Sequence, residues 1–437
     1  MAPQSILIIG CGVAGPTLAS FLLISDLPAE DKPKITILER ATSSRGKGQN
    51  VDIRGVGADV MRKLGLEKVI RGSVTGEEGV QFVDSQNGIW AAFGADKSGK
   101  IQTGTSDLEI LRGRLADICT QRSRSISDEI KKQGGAGIDY VFGDYVDEIV
   151  QDGDKVNVHF AKSGQRQSFD LVVGADGLQS LTRNIVWGKD SEAERIKKLG
   201  MYAGFFSMPA SSTDSEWRRW YQIPGRKGIM IRPSGDKDKV TVLATVIPKD
   251  DARFDEVAVD GRKGVSAQKA LLKEYFQGSG WECERVVKEM EASDDFYYDM
   301  VAQVRMEHFS KGRVVLLGDA GYCASPISGM GTTLGLTGGY NLAGALFRYP
   351  QDHTAAFALY EMKMRPIIEK AQKLAPGAPH SMYPETAWGI WFMRSIIYLI
   401  WRSGVGTLIF KYVGPPANEV KIADEYGFRQ LPEWNGE

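Results

Sequence analysis

Three stretches of this chain combine residue types and spacings that can do chemistry. The first is Gly10-x-Gly12-x-x-Gly15, set between an apolar run and an amphipathic one. Glycines at this spacing permit a tight turn, admit a pyrophosphate close to the backbone and let the following helix pack on its strand. The start of that helix offers N–H groups and positive partial charge to phosphates. Glu39 closes the next apolar run, where a carboxylate can hydrogen-bond ribose hydroxyls. The second stretch, from Asp170 through Gly174-Ala175-Asp176-Gly177 to Ser180 and Arg183, reads as a buried strand ending in a polar turn. The third runs from Gly312-Arg313 through Gly318-Asp319-Ala320 to Pro326 and Gly329-Met330-Gly331-Thr332-Thr333. There an apolar strand delivers an aspartate that can accept from a polyol chain. The glycine-rich segment then opens a helix whose N–H groups can face a carbonyl edge.

Other chemistries find little support. Cys11, Cys119, Cys283 and Cys323 lie far apart with no CxxC pair, which argues against a disulfide scaffold or zinc site and fits a reducing compartment. His159, His308, His353 and His380 show no HxxxH or HExxH spacing, so no metal is expected. No Ser–His–Asp or paired-carboxylate pattern competes as a catalytic engine.

The elements that must position these residues follow from periodicity. Ser5–Ile9 reads as a buried strand, Val13–Ile24 as a helix and Ile35–Glu39 as a second strand, the opening of a doubly wound sheet. A helix ending near Leu66 follows, then extended segments at Val80–Val83 and Ile89–Phe93. Glu109–Ser123 carries Leu111, Leu115 and Ile118 at helical spacing. Val146–Val150 and Val156–Phe160 flank an Asp152-Gly153 turn, a hairpin signal, and Leu171–Val173 is another buried strand. From Leu199 to Ile247 the pattern becomes that of an antiparallel sheet rich in aromatic residues, followed by helices at Ala267–Phe276 and Glu284–Ala292. Arg313–Leu317 returns to a strand, and helical patterns occupy Leu334–Phe347, His353–Leu374 and Trp388–Phe410.

Composition bounds the function. A length of 437 residues predicts two or three domains, and 25% charged with 42% hydrophobic residues rules out wholesale disorder. With 54 Lys+Arg against 55 Asp+Glu, no electrostatic footprint for nucleic acid is visible. The 50 glycines exceed the usual ~7% and cluster at a few points, which suggests close backbone approach to a ligand. The N-terminus lacks a basic secretory n-region, and the longest apolar stretch, Trp388–Phe410, is broken by Arg394, Arg402 and Ser403. A cytoplasmic protein is expected.

Taken in order, the three stretches resemble the FAD-dependent monooxygenases of the p-hydroxybenzoate hydroxylase type, across nearly the whole chain. Within that family Arg45-Gly-Lys-Gly-Gln-Asn-Val-Asp52, Glu109-Ile-Leu-Arg112 and the late Asp424-Glu-Tyr426 are similar to the branch of tetracycline-inactivating monooxygenases. The resemblance implies an α/β fold: a Rossmann-like FAD-binding domain (1–75, 105–198 and 300–380), an inserted antiparallel-sheet substrate domain (76–104 and 199–299) and a bridging C-terminal helical region (381–437). It implies that Gly10, Gly12 and Gly15 hold the FAD pyrophosphate, Glu39 the adenosine ribose, and that Arg40 flanks the adenine. Arg112 would contact FAD, Asp52 would lie near the flavin, Arg45 would serve NADPH and Asp176 both cofactors. Asp319 would bind the ribityl chain and Pro326 line the ring. Gly329, Gly331 and Thr332 would form the turn whose N–H groups face the isoalloxazine pyrimidine edge, where charge develops on reduction. Three departures surround the flavin: Gly321-Tyr322 where the family has Ala-His, Thr333 in place of its asparagine, and no acidic residue in Leu336-Thr337-Gly338-Gly339-Tyr340. Tyr322 is expected to pack against the cofactor.

The implied reaction consumes NADPH and O2 and hydroxylates an aromatic or polycyclic small molecule through a C4a-hydroperoxyflavin. Baeyer–Villiger oxygenation, epoxidation, or a flavin dehydrogenase without productive oxygen use remain alternatives. Substrate contacts are sought in the sheet among Tyr202, Phe205, Phe206, Trp217, Trp220, Tyr221, Met230 and Arg232, with Tyr221 and Arg232 singled out. Arg232 can pair with an acidic or enolate group, although a solvated surface arginine is the plainer expectation. The helix Trp388–Phe410 reads as a bridge between domains, with a membrane-surface anchor as its second reading.

Overall fold

The computed structural model describes residues 4–43, 48–95, 106–259, 264–405 and 426–436. The β-branched run β1 (Ser5–Ile9) is sealed between β2 (Lys34–Glu39) and β11 (Leu171–Gly174), both parallel to it. β7 (Ile138–Phe142) extends this sheet beyond β2, and β18 (Val314–Leu316) with β17 (Ser310–Lys311) extends it beyond β11. The strand order β17-β18-β11-β1-β2-β7 brings the carboxyl ends of β1, β2, β11 and β18 to one edge. In open α/β sheets ligands bind outside that edge. A hairpin layer, β8 (Val146–Gln151), β9 (Val156–Phe160) and β10 (Arg166–Phe169), lies beside it.

A second, seven-stranded sheet carries the apolar aromatic pattern. Its order is β16 (Tyr297–Val304), β12 (Ile196–Pro209), β15 (Lys239–Val246), β14 (Lys227–Pro233), β13 (Arg218–Ile223), β4 (Gly79–Val83) and β5 (Ile89–Gly94). All neighbours are antiparallel except β13 and β4. A two-stranded ribbon, β3 (Asn50–Asp52) and β6 (Glu109–Leu111), completes the strands.

The helices sort by the sheet they cover. Against the first pack α1 (Ala14–Leu23), α2 (Val56–Lys63), α3 (Glu67–Arg71), α4 (Arg112–Lys132) and α5 (Leu181–Trp187), with α10 (Asp319–Tyr322), α11 (Gly331–Arg348) and α12 (His353–Gln372), whereas α6 (Glu192–Arg195) lies beside β12 of the second. Against one face of the second pack α7 (Arg253–Val259), α8 (Gly264–Phe276) and α9 (Cys283–Ala292), burying Phe254, Leu272, Phe276 and Met290 on Phe206, Ile229 and Ile231. α13 (Ala387–Ser403) lies on β5 and β13.

Two expectations need correction here. Glu109–Leu111 is a strand rather than the first turn of a helix, and α4 starts at Arg112. The reason is tertiary: the Glu109 carboxylate is held by arginines of the second sheet, so its backbone stays extended. The short helix α7 was not expected from the pattern. For the C-terminal helix, 406–410 lie outside the described residues, and no helix among the described residues is long and apolar enough to cross a membrane.

Candidate functional site

Glycine geometry shapes the turn after β1. Gly10 adopts φ +118°, and a Cβ there would stand 2.3 Å from the Ala175 carbonyl oxygen. At Gly15 a Cβ would meet the Gly10 carbonyl oxygen at 2.2 Å, whereas at Gly12 it would meet no atom within 4 Å. Two glycines therefore close the turn, and the third leaves room beside a helix start for a group such as a phosphate. The Glu39 carboxylate sits at this turn, accepting from the backbone N–H groups of Cys11 (3.0 Å) and Ala41 (2.9 Å). Arg40 beside it is exposed, and Arg45 lies outside the described residues.

The third motif meets the first at Ala14. A Cβ at Gly318 or Gly335 would contact the Ala14 side chain at 3.4 and 3.5 Å. Asp319 starts α10, and α11 opens with Gly331 and Thr332, first-turn N–H groups that no preceding helical carbonyl satisfies. Thr333, where the family pattern has asparagine, exchanges hydrogen bonds with the Arg54 backbone, accepting from its N–H (3.1 Å) and donating to its carbonyl (3.2 Å).

These residues line one end of a cavity of about 630 Å³ between the 319–332 segment and the second sheet. Asp52, Arg112, Asp319, Pro326, Gly329, Gly331 and Thr332 all reach it. Asp52 pairs with Arg54 at 2.9 Å and accepts from the Ser106 N–H at 3.2 Å. Arg112 projects into the enclosed space beside Tyr297, Asp319 and Asp299. Burial works against its charge, yet those neighbours hold its pKa above the ordinary arginine value. Asp299 responds in the opposite sense: burial pushes its carboxyl up to about 6, Tyr297 and Arg112 oppose the rise, and Asp319 adds to it. The structure thus adds Arg54, Tyr297 and Asp299 to the wall, none of which the motifs marked.

The other wall is one face of the second sheet. Strand alternation brings Met201, Ala203 and Phe205 of β12, Arg218 and Trp220 of β13, and Met230 and Arg232 of β14 to the cavity. Ile397 and Ile400 of α13 and Tyr383 complete it. The alternation overturns the choice of Tyr221. Its side chain points to the opposite face, where the ring packs on Trp281 and the hydroxyl donates to the Ser279 carbonyl at 3.2 Å. Tyr202 and Phe206 turn away with it. Arg232 does reach the cavity but is no solvated surface arginine. It is paired with Glu77 (2.9 Å) and with Glu109, and Arg218 binds the same two carboxylates at 2.7 and 3.2 Å. Glu77, Glu109 and Arg218 were missed; Arg218 shares the face of Trp220 by the strand period, but the sequence does not say which face looks on the cavity.

Two further motif residues take structural positions. The Asp176 carboxylate accepts from the Ser180 hydroxyl (2.6 Å) and from the Thr182 N–H and hydroxyl (both 3.0 Å), so it organises the start of α5 and does not line the cavity. Tyr322 does not pack on the cavity either. It is 1% exposed in the core, its hydroxyl 2.8 Å from that of Tyr360. A Cβ at Gly338 would stand 2.0 Å from the Tyr322 hydroxyl. Gly338 of α11 thus leaves the space that the Tyr322 hydroxyl occupies.

Comparison with known proteins agrees with this geometry. The family model described as FAD binding domain matches residues 4–374. An FAD-dependent monooxygenase of Sarocladium schorii, asL6, is 38% identical over 84% of this chain and 86% of its own length. Monooxygenase CTB7 of Cercospora beticola is 30% identical over 93% and 94% of the two chains. Among solved structures, tetracycline destructase Tet(51) superposes with a TM-score of 0.75 at 28% identity, covering 96% of this chain and 99% of that one. The chain belongs to the FAD binding domain family and is a flavoprotein monooxygenase of the p-hydroxybenzoate hydroxylase type.

Proposed function

We propose that this chain hydroxylates an aromatic or polycyclic small molecule, using O2 and NADPH that docks transiently. The observation that carries the reading is the two-sided cavity. A polar end near the starts of α10 and α11 faces an apolar wall of Phe82, Phe205, Trp220, Met230 and Leu243. The residues fit FAD: Gly12 leaves the room a phosphate needs, and the first-turn N–H groups of Gly331 and Thr332 are available to a ring edge. Gly10, Gly12, Gly15 and Glu39 would hold its pyrophosphate and adenosine ribose. Arg112 and Asp319 would hold the middle of the cofactor, and Pro326, Gly329, Gly331 and Thr332 the ring. When bound, FAD supplies hydride acceptance and oxygen activation.

The chain's own residues do the rest. The sheet wall and α13 keep water from the reacting region, which limits loss of reducing power to hydrogen peroxide. Flat apolar side chains orient a planar substrate by contact area, and the polar end fixes which edge faces the ring. The test is coupling. Purified protein should be yellow, polycyclic phenols should accelerate NADPH oxidation, and labelled O2 should leave its oxygen in the organic product. Hydrogen peroxide as the sole oxygen-derived product would instead make the chain a dehydrogenase or reductase.

A further inference from the structure

The polar end of the cavity beneath the second sheet is more selective than its count of charges suggests. Four side chains form a closed quartet: Glu77 and Glu109, 0% and 2% exposed, against Arg218 and Arg232. Its formal charge is zero. The surrounding groups are committed to holding it. The Asn50 amide donates to Glu109 (2.7 Å) and to the Pro233 carbonyl (3.0 Å), and its oxygen accepts from the Thr241 hydroxyl (2.7 Å). The Thr75 hydroxyl donates to Glu109 at 2.8 Å. Within this frame Arg232 uses Nε on Glu77 and Nη2 on Glu109. Its Nη1 makes no hydrogen bond among the described residues, and the side chain lines the cavity.

We infer that Arg232 sets substrate specificity by donating from Nη1 to a carbonyl or hydroxyl oxygen on the edge of an uncharged planar polycycle. The inference rests on the monooxygenase reading above and narrows its substrate class. An arginine that met its ligand alone would favour a carboxylate, bound through two N–H groups. Here two buried carboxylates already take one edge of the guanidinium, and Asp52 adds negative potential nearby. A substrate carboxylate at this position would be desolvated beside Glu77 and Glu109, and the charges of Arg218 and Arg232 are already matched by those two carboxylates. A neutral acceptor needs only the one directed donor, whose plane is fixed by the quartet. The rest of the molecule meets an aromatic wall: Phe82 stacks on Trp220 at 5.2 Å, and Tyr383, tilted by 54°, lies 5.6 Å from the same indole.

Three tricyclic probes separate the possibilities on the flavin-loaded protein without turnover, by quenching of tryptophan fluorescence. They are xanthone, which has one carbonyl, xanthene, which lacks it, and xanthone-2-carboxylate. Xanthone should bind roughly tenfold more tightly than xanthene, the worth of one directed hydrogen bond to a charged donor. The carboxylate should bind more weakly than xanthone. Arg232→Lys keeps the charge but not the third donor of the fork, so it should shrink the xanthone preference to about threefold or less. Equal binding of xanthone and xanthene, tightest binding of the carboxylate, no binding of xanthone up to its solubility, or an undiminished preference in Arg232→Lys would each overturn the inference. The wild-type probe series decides alone if that variant does not fold. Absence of NADPH oxidation would strike at the monooxygenase reading instead, because turnover does not enter the probe ratios.

Discussion

Two aspartates in the same cavity illustrate how position fixes a carboxylate's work. Asp319 is delivered to the cavity by β18 and starts α10. Hydrogen bonds to an ionised acceptor are about twice as strong as neutral ones. Asp319→Ala should therefore weaken FAD retention about 10- to 100-fold, read as flavin absorbance per protein after dialysis. Full flavin occupancy in that variant would remove the residue from the cofactor site. Asp299 works against stability instead. Its folded-state pKa stands at about 6 against 3.8 for the free side chain. As pH rises from 4 to 6 the unfolded chain ionises this group first, so the folded state loses stability through that window. The whole cost applies above pH 6 and none below pH 4. Asp299→Asn should thus be more stable than wild type by about 1–3 kcal/mol at pH 7–8, with the gap closing toward pH 4. A gap that widens on acidification would refute the sign.

At the scale of elements, α11 shows how a helix makes room for a bulky neighbour. Gly331, Gly335 and Gly339 recur every four residues, and the latter two bring α11 against α1, where a Cβ at Gly339 would lie 3.1 Å from the Leu18 nitrogen. Gly338 faces the other way and makes room for the Tyr322 hydroxyl. Gly338→Ala should cost about 1–3 kcal/mol by overpacking. Tyr322→Phe removes the atom at 2.0 Å and leaves Cζ at 3.3 Å. The double variant should be less destabilised than the sum of the singles, by about 1 kcal/mol or more in denaturant melts; strict additivity would deny the contact. Such pairings mark the limit of what was legible. β1, α1 and β2 could be read from local periodicity because their apolar runs are bounded by glycine and charge. Glu109 was misread because Leu111, Leu115 and Ile118 continue a helical period, while its captors Arg218 and Arg232 lie in another sheet. The strands of the second sheet were legible, but not which face of each looks on the cavity. Both faces are apolar, so alternation alone cannot separate Trp220 from Tyr221.

For the molecule as a whole, the proposed FAD site draws on residues widely separated in sequence, and that would make stability a reporter of binding. Gly12 belongs to the turn after β1, Asp319 and Gly331 to the segment after β18, and Arg112 to the start of α4. A ligand that binds only the folded arrangement adds RT ln(1 + [L]/Kd), about 2.7 kcal/mol at a hundredfold excess over Kd. FAD added to flavin-stripped protein should therefore raise Tm with concentration. Gly12→Val separates this linkage from any general effect of flavin. A Cβ at Gly12 would meet no atom within 4 Å, and the residue is not among the glycines with positive φ, so the valine should fold without clash. Its side chain would occupy the space a phosphate needs. The variant should melt close to flavin-stripped wild type and fail to respond to FAD. If wild type also fails to respond, the turn after β1 does not hold the cofactor, whatever its glycines resemble. If the variant responds as wild type does, the phosphate lies elsewhere along the edge of the first sheet.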